Sequence, residues 1–318
     1  MTALLPLLQS VLSAAVLSCL LALVPGTAVS SELRLLVPAY ANPCCDAGPA
    51  MWQALIAAAQ QAGDRVALIL NPASGPGASR EPNFLDATGA GPLADFHAAG
   101  GRVYAYVATG YALRGLTEVI DEVNAYYSYY GHELIDGIFF DEMSNDLFDT
   151  GYYRTLAAHV RASAPGALVI GNPGTGFVNN PTGQTTWSVA DYAGAADVLM
   201  TFESDIGAYR DAYVPPPWVA TLDASHFAHV VHSLGSWDAA LPALAMTRNA
   251  GWIYFTDDRM PNPYDVLAGF WSSELAAVQT SATPVTPVPL GPLTLLLVPL
   301  FGWLGWRAAP RHVSTSPR

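Results

Sequence analysis

Residues 135–146 read Ile-Asp-Gly-Ile-Phe-Phe-Asp-Glu-Met-Ser-Asn-Asp. The first six, Ile135–Phe140, are a short apolar run that predicts a buried strand, and the run ends directly in two carboxylates, Asp141 and Glu142. Before it lies Leu116–Tyr130, with Leu116, Val119, Ile120 and Val123 at the i, i+3, i+4, i+7 spacing of a helix face. After it, Tyr152–Ala164 reads as a second helix, closed by Pro165-Gly166. The same alternation extends in both directions. Strands are expected at Leu33–Pro38, Arg65–Leu70, Arg102–Val107, Leu168–Ile170, Val198–Phe202, Ala228–His232 and Trp252–Thr256. Helices are expected at Ala50–Ala62, Leu93–Ala99, Trp237–Asn249 and Pro263–Val278. Continuous apolar strands each followed by a helix imply a parallel sheet covered on its outer face. Eight of them imply a closed (β/α)8 TIM barrel, here a single domain over residues 31–279. The stretch Gly174–Asp197 shows no regular pattern.

The 318 residues carry 13 basic and 26 acidic side chains, and every basic one is arginine. With no lysine, Schiff-base chemistry and lysine-dependent phosphate loops are excluded. All the acids lie between Glu32 and Glu274, so the body is strongly negative and lacks the basic footprint of a nucleic-acid-binding protein. The three cysteines are Cys19 and the neighbours Cys44 and Cys45. That pair has no zinc spacing and is not expected to form an ordinary bridge, so it reads as structural or incidental. The histidines show no metal-ligand spacing, and neither a metal nor a cofactor is expected.

Both ends read as addresses. Residues 1–30 resemble a secretory leader with cleavage near Ala28 to Ser31, although no Lys or Arg precedes the apolar run. An uncleaved anchor helix or a lipoprotein site at Cys19 are the alternatives. Residues 280–289 form a Thr/Pro linker, residues 290–306 an apolar anchor or sorting segment, and residues 307–318 a basic tail. The apolar segment is at the lower limit for spanning a bilayer, and its positive flank would stay cytoplasmic. It resembles the bacterial carboxy-terminal sorting tails of the PEP type, departing at Gly291 in Val288-Pro289-Leu290-Gly291. A sorting transpeptidase is therefore a possible partner, and the expected location is exported, in the cell envelope or outside it.

In a barrel of this kind the chemistry gathers where strands end. Reading those ends gives Tyr40, Asn71, Thr109 with Tyr111, Asp141-Glu142, Asn172, Glu203, His232 and Asp257-Asp258. Carboxylates set against apolar runs are costly unless they are paired or used. Several of them beside aromatics, without a metal or phosphate motif, point to glycosidic-bond cleavage, which needs one carboxylic acid and one carboxylate. Strand parity lets only one of Asp141 and Glu142 point cleanly inward. Plainer readings stand beside these: a cap for the pair, an Arg210 ion pair for Glu203, a core histidine at 232, turn chemistry for Asn71, and a helix face for Tyr126–Tyr130.

Five stretches carry a family resemblance: NPASGPG at 71–77, YVATGYALR at 106–114, DGIFFDEMSND at 136–146, TFES at 201–204, and TDD with NPYD at 256–258 and 262–265. They look like the spherulin 4 family, whose enzymatic members form glycoside hydrolase family 135. The resemblance spans about Leu33 to Trp271 and implies cleavage inside chains of α-1,4-linked N-acetylgalactosamine or galactosamine, with retention favoured. Its catalytic acids fall on Asp141, Glu142 and Glu203. Because Glu203 ends a different strand from the pair, it is expected to be the general acid–base, with Asp141 the nucleophile and Glu142 orienting substrate or assisting proton transfer. Tyr40, Asn71, Tyr111, Asn172, His232 and Asp257 are the candidate sugar contacts. The rival expectation is a catalytically weak carbohydrate-binding or envelope-coat protein on the same barrel.

Overall fold

The computed structural model describes residues 32–178 and 194–281. The expected leader, linker beyond residue 281, apolar segment and basic tail, and most of the irregular stretch, lie outside the described residues. Among the described residues no helix is long and apolar enough to cross a membrane.

Eight strands close into one parallel barrel in chain order: β1 Arg34–Ala39, β2 Val66–Leu70, β3 Arg102–Ala108, β4 Gly137–Asp141, β5 Leu168–Gly171, β6 Val198–Asp205, β7 Phe227–His232 and β8 Trp252–Phe255. The helices between them are α1 Gly48–Ala62, α2 Pro92–Ala98, α3 Leu116–Tyr130, α4 Thr150–Ser163 and α5 Leu241–Thr247, and α6 Trp271–Ser281 follows β8. Every residue of β2 is buried, as a strand covered on both faces requires. The opening glycine of β4 is needed, because a Cβ at Gly137 would overlap the Leu168 carbonyl oxygen on β5. The barrel is filled rather than hollow. Tyr104 of β3 meets Trp252 of β8 edge to face at 6.2 Å, and Tyr106 lies 6.1 Å from Phe139.

Three local expectations are corrected. The region before β8 is helical only from Leu241, because Pro242 fixes the first turn there. Upstream, Trp237 instead packs on Phe255 and Phe270, with centroids 6.4 and 5.5 Å away. The final helix begins at Trp271 rather than Pro263. The intervening chain is held as a loop by Tyr40 N–H donating to the Tyr264 carbonyl and Gly269 N–H donating to Asp257. The crossover from β6 to β7 carries no α-helix; a π turn at Ala208–Ala212 and short 3-10 turns at Pro217–Thr221 and Ala224–His226 make the connection. The sequence reading also leaves Cys44 and Cys45 unbridged, whereas the structure joins them in a disulfide.

The closing seam is short: β1 and β8 share only Arg34↔Trp252 and Leu35↔Ile253. Thr256 N–H donates to Val231 of β7. By the alternation of a strand, Phe255 N–H therefore faces the β1 side. There the side chain of Glu274, from α6, accepts from Phe255 N–H at 2.7 Å in place of a strand partner. Glu274 is fully buried, its other oxygen has no hydrogen bond, and burial pushes its pKa up to about 8.

Candidate active site

The carboxyl ends of β4, β5 and β6 carry the centre of the site. Asp141 is the last residue of β4 and shares the parity of Phe139, which packs against Tyr106 inside the barrel. It therefore takes the inward position. Glu142 is exposed and departs into the left-handed region at φ 49°. Its carbonyl is held there by Tyr111 N–H at 2.7 Å and Thr109 Oγ1–H at 2.8 Å. The ambiguity of the pair is thus settled by the backbone: Asp141 faces the barrel axis and Glu142 the rim.

Glu203 reaches the same mouth through a bulge. The register of β6 with β7 runs Met200↔Ala228 and then Phe202↔His229, so Thr201 is an extra residue. Phe202 then packs outward on Tyr209, Tyr213 and His229, and Glu203 pairs with Val230 on the opposite face. A bulge re-aims the side chains beyond it, and here it turns Glu203 inward.

Asn172 joins the two acids. Its Oδ1 accepts from Gly174 N–H at 2.9 Å, which fixes the amide orientation because a backbone N–H only donates. Nδ2 then donates to Asp141 Oδ1 at 2.7 Å and to Glu203 Oε2 at 2.6 Å. Those two carboxylate oxygens therefore lie no farther apart than the sum of the two bonds, at most about 5.3 Å. The other oxygen of Glu203 accepts from Tyr264 Oη–H at 2.6 Å.

Burial, above all, and then the nearby Asp141 raise the pKa of Glu203, against the opposing pull of the Tyr264 and Asn172 hydrogen bonds. The phenols of Tyr40, Tyr106 and Tyr264 are all pushed up, first by burial and then by these carboxylates, so they remain protonated. Tyr40 sits between the other two, edge to face with Tyr106 at 5.8 Å and with Tyr264 at 5.6 Å.

Asp141, Glu142, Asn172, Glu203 and Tyr111 line one open pocket of about 280 Å³ together with Pro173 and Gly174. Tyr40 forms a wall of a second dip of about 400 Å³, which also includes Asn42, Cys45, Asp46, Asn262 and Asp265. Three expected sugar contacts are not among the residues that line this pocket. Asn71 spends its Oδ1 on Gly75 N–H within a turn. His232 lies against Ser233 and beside Asp205, with burial lowering its pKa. Asp257 anchors the loop after β8 through Gly269. Each ends or follows a strand, but strand-end position does not fix the direction of a side chain. Arg210 pairs with Asp238 and not with Glu203.

Two residues of the site were not singled out from the sequence. Tyr106 carried a readable signal, since it shares the parity of Tyr104 on β3. Tyr264 lies in the NPYD stretch at 262–265 that carries the family resemblance, but its segment also reads as part of a helix.

The spherulation-specific family 4 model matches residues 34–278. Spherulin-4 of Physarum polycephalum is 28% identical over 264 residues, covering 79% of this chain and 72% of that protein. The crystal structure of Aspergillus clavatus Sph3 in complex with GalNAc superposes with a TM-score of 0.60 at 21% identity, over 78% of this chain and 98% of that one, a likeness of fold. With the family model spanning the whole barrel, from β1 into α6, this chain belongs to the spherulation-specific family 4.

Proposed function

We propose that the chain is an exported glycoside hydrolase that cuts within α-1,4-linked (N-acetyl)galactosamine polysaccharide, with retention, by carboxylate chemistry alone. The observation that carries this reading is the Asn172 amide, which holds Asp141 and Glu203 together across the barrel mouth. Retaining glycosidases place their two carboxyls about 5–5.5 Å apart, and inverting ones about 6.5–9.5 Å. The bound set by Asn172 fits the shorter class.

Glu203 serves as the acid, because burial keeps its proton on to higher pH than an exposed glutamate would. It protonates the glycosidic oxygen as the C–O bond breaks, while Asp141 attacks the anomeric carbon. Glu203, now ionised, then takes a proton from the water that releases the sugar from Asp141. Glu142, exposed on the rim of the same pocket, orients the substrate. The pocket that holds the acids is open rather than enclosed, as action within a chain requires. The sugar class rests on the family resemblance and on the GalNAc bound to the structural relative. Export and tethering rest on the sequences of residues 1–30 and 290–306.

The test is hydrolysis of purified α-1,4-linked galactosamine polymers of graded acetylation, with the anomer of the first product read by proton NMR. An α product at first turnover supports retention. A β product refutes it, and binding without any cleavage refutes the hydrolase reading in favour of a carbohydrate-binding protein.

A further inference from the structure

The Tyr264–Glu203 contact defines where the proton of the acid sits. The Tyr264 side chain is brought to the mouth by the loop that follows β8. There its backbone carbonyl accepts from Tyr40 N–H at 3.2 Å, and its ring packs on Tyr40 and, at 6.4 Å, on Tyr254. The residue is 8% exposed. Its hydroxyl has one hydrogen-bond partner among the described residues, Glu203 Oε1. A buried phenol with a single acceptor in reach keeps its hydrogen on that acceptor. Glu203 Oε2 meanwhile faces an amide that only donates. Each oxygen of Glu203 thus has one lone pair taken by a fixed donor, and an acid proton has to occupy a lone pair that neither donor uses.

We propose that Tyr264 is a positioning residue for proton transfer: it holds Glu203 through Oε1 so that the acid proton is turned away from the phenol, and it takes up the charge left on that carboxylate when the proton departs. The proposal rests on Glu203 being the acid–base of the reaction. In the first step the proton moves from Glu203 to the leaving glycosidic oxygen, the electrons of the broken C–O bond stay on that oxygen, and Tyr264 keeps its own hydrogen throughout. Among the described residues, the titratable groups that face Glu203 are Asp141 at the end of β4, Tyr106 on β3, Tyr40 after β1 and Tyr264 itself. None is a cation, so the two neutral donors alone offset the charge of Glu203.

The experiment titrates the Glu203 side chain directly by carbon-13 NMR of glutamate-labelled protein, with Glu203→Gln identifying the resonance. Tyr264→Phe, which keeps the ring and removes the donor, is expected to move the Glu203 midpoint upward by about one pH unit, the counterpart of one charge-assisted hydrogen bond. The alkaline limb of kcat/KM should move with it, and kcat at the optimum should fall about tenfold with KM nearly unchanged. Replacing Tyr264 by 3,5-difluorotyrosine, a stronger donor of the same shape, should move the midpoint downward and serves if the phenylalanine variant does not fold. An unmoved midpoint in a folded variant overturns the proposal, and so does a loss confined to KM, which would make Tyr264 a sugar contact. Normal turnover by Glu203→Gln would overturn the assignment of Glu203 as the acid, a separate failure from an unmoved midpoint.

Discussion

Asn172 shows how much a single amide decides. From the sequence it is legible as a polar residue at a strand end and as a candidate sugar contact. In the structure its oxygen is spent on Gly174 N–H and its nitrogen on Asp141 and Glu203. With the amide fully committed to the protein, it positions the acids. Glu203→Gln and Asp141→Asn should each reduce turnover by at least about a hundredfold with the fold intact, the lower end expected for losing an acid–base group. Circular dichroism beside product release by chromatography would check this, and near-normal release from either variant contradicts the assignment. His232→Ala, by contrast, should leave turnover within about twofold, because His232 lies on Ser233 and beside Asp205, away from the pocket lining. A hundredfold loss there would mean that the substrate reaches farther across the mouth than this pocket.

At the scale of elements, the barrel was legible because its strands are continuous apolar runs, and β3, β4 and the helix over Leu116–Tyr130 match the expected spans to within two residues. What the sequence hid were local departures from period two. The inward aim of Glu203 depends on one inserted residue, Thr201, and nothing in Val-Leu-Met-Thr-Phe marks a bulge. Tyr264 falls inside the expected closing helix Pro263–Val278, whereas in the structure it belongs to a loop fixed by contacts with distant Tyr40 and Glu203. Glu274, which lies within the expected closing helix, caps the open end of the β1–β8 seam, a role nothing in its local sequence marks. That last case carries a pH consequence. A carboxyl at about 8 in the fold, against an ordinary 4.5, binds its proton more tightly folded than unfolded. Its contribution is fully present below pH 4.5 and is lost as pH rises toward 8, so stability should fall over that window, by on the order of a few kcal/mol in total. Glu274→Gln keeps an acceptor for Phe255 N–H and removes the titration. Its melting temperature should exceed that of the parent at pH 8 and approach it at pH 4.5, measured by scanning calorimetry. Equal pH slopes in the two proteins would show that Glu274 titrates normally.

For the whole molecule, the question is how much of the chain the chemistry needs. The barrel closes on itself between β1, which begins at Arg34, and α6, which ends at Ser281. Both ends of that span are tied down within it: Leu33 N–H donates to Ser281 Oγ at 3.2 Å, and Arg65 Nη1 donates to the carbonyls of Val278 and Gln279. The pocket draws its lining from Tyr111, Asp141, Glu142, Asn172, Pro173, Gly174 and Glu203, every one of them inside the closed unit. Segments outside the span therefore serve delivery and attachment in our reading, not catalysis. A chain of residues 32–281 should fold alone, melt within a few degrees of the full chain and cut soluble polymer with the same kcat, because no residue assigned to the reaction is removed. The full chain should instead sediment with membranes after fractionation and be released when residues 290–318 are deleted. The two measurements separate the two claims. Loss of activity in the shortened chain would place part of the site outside residues 32–281, whereas full-length protein found free in the cytosol would refute export and tethering while leaving the chemistry of the barrel untouched.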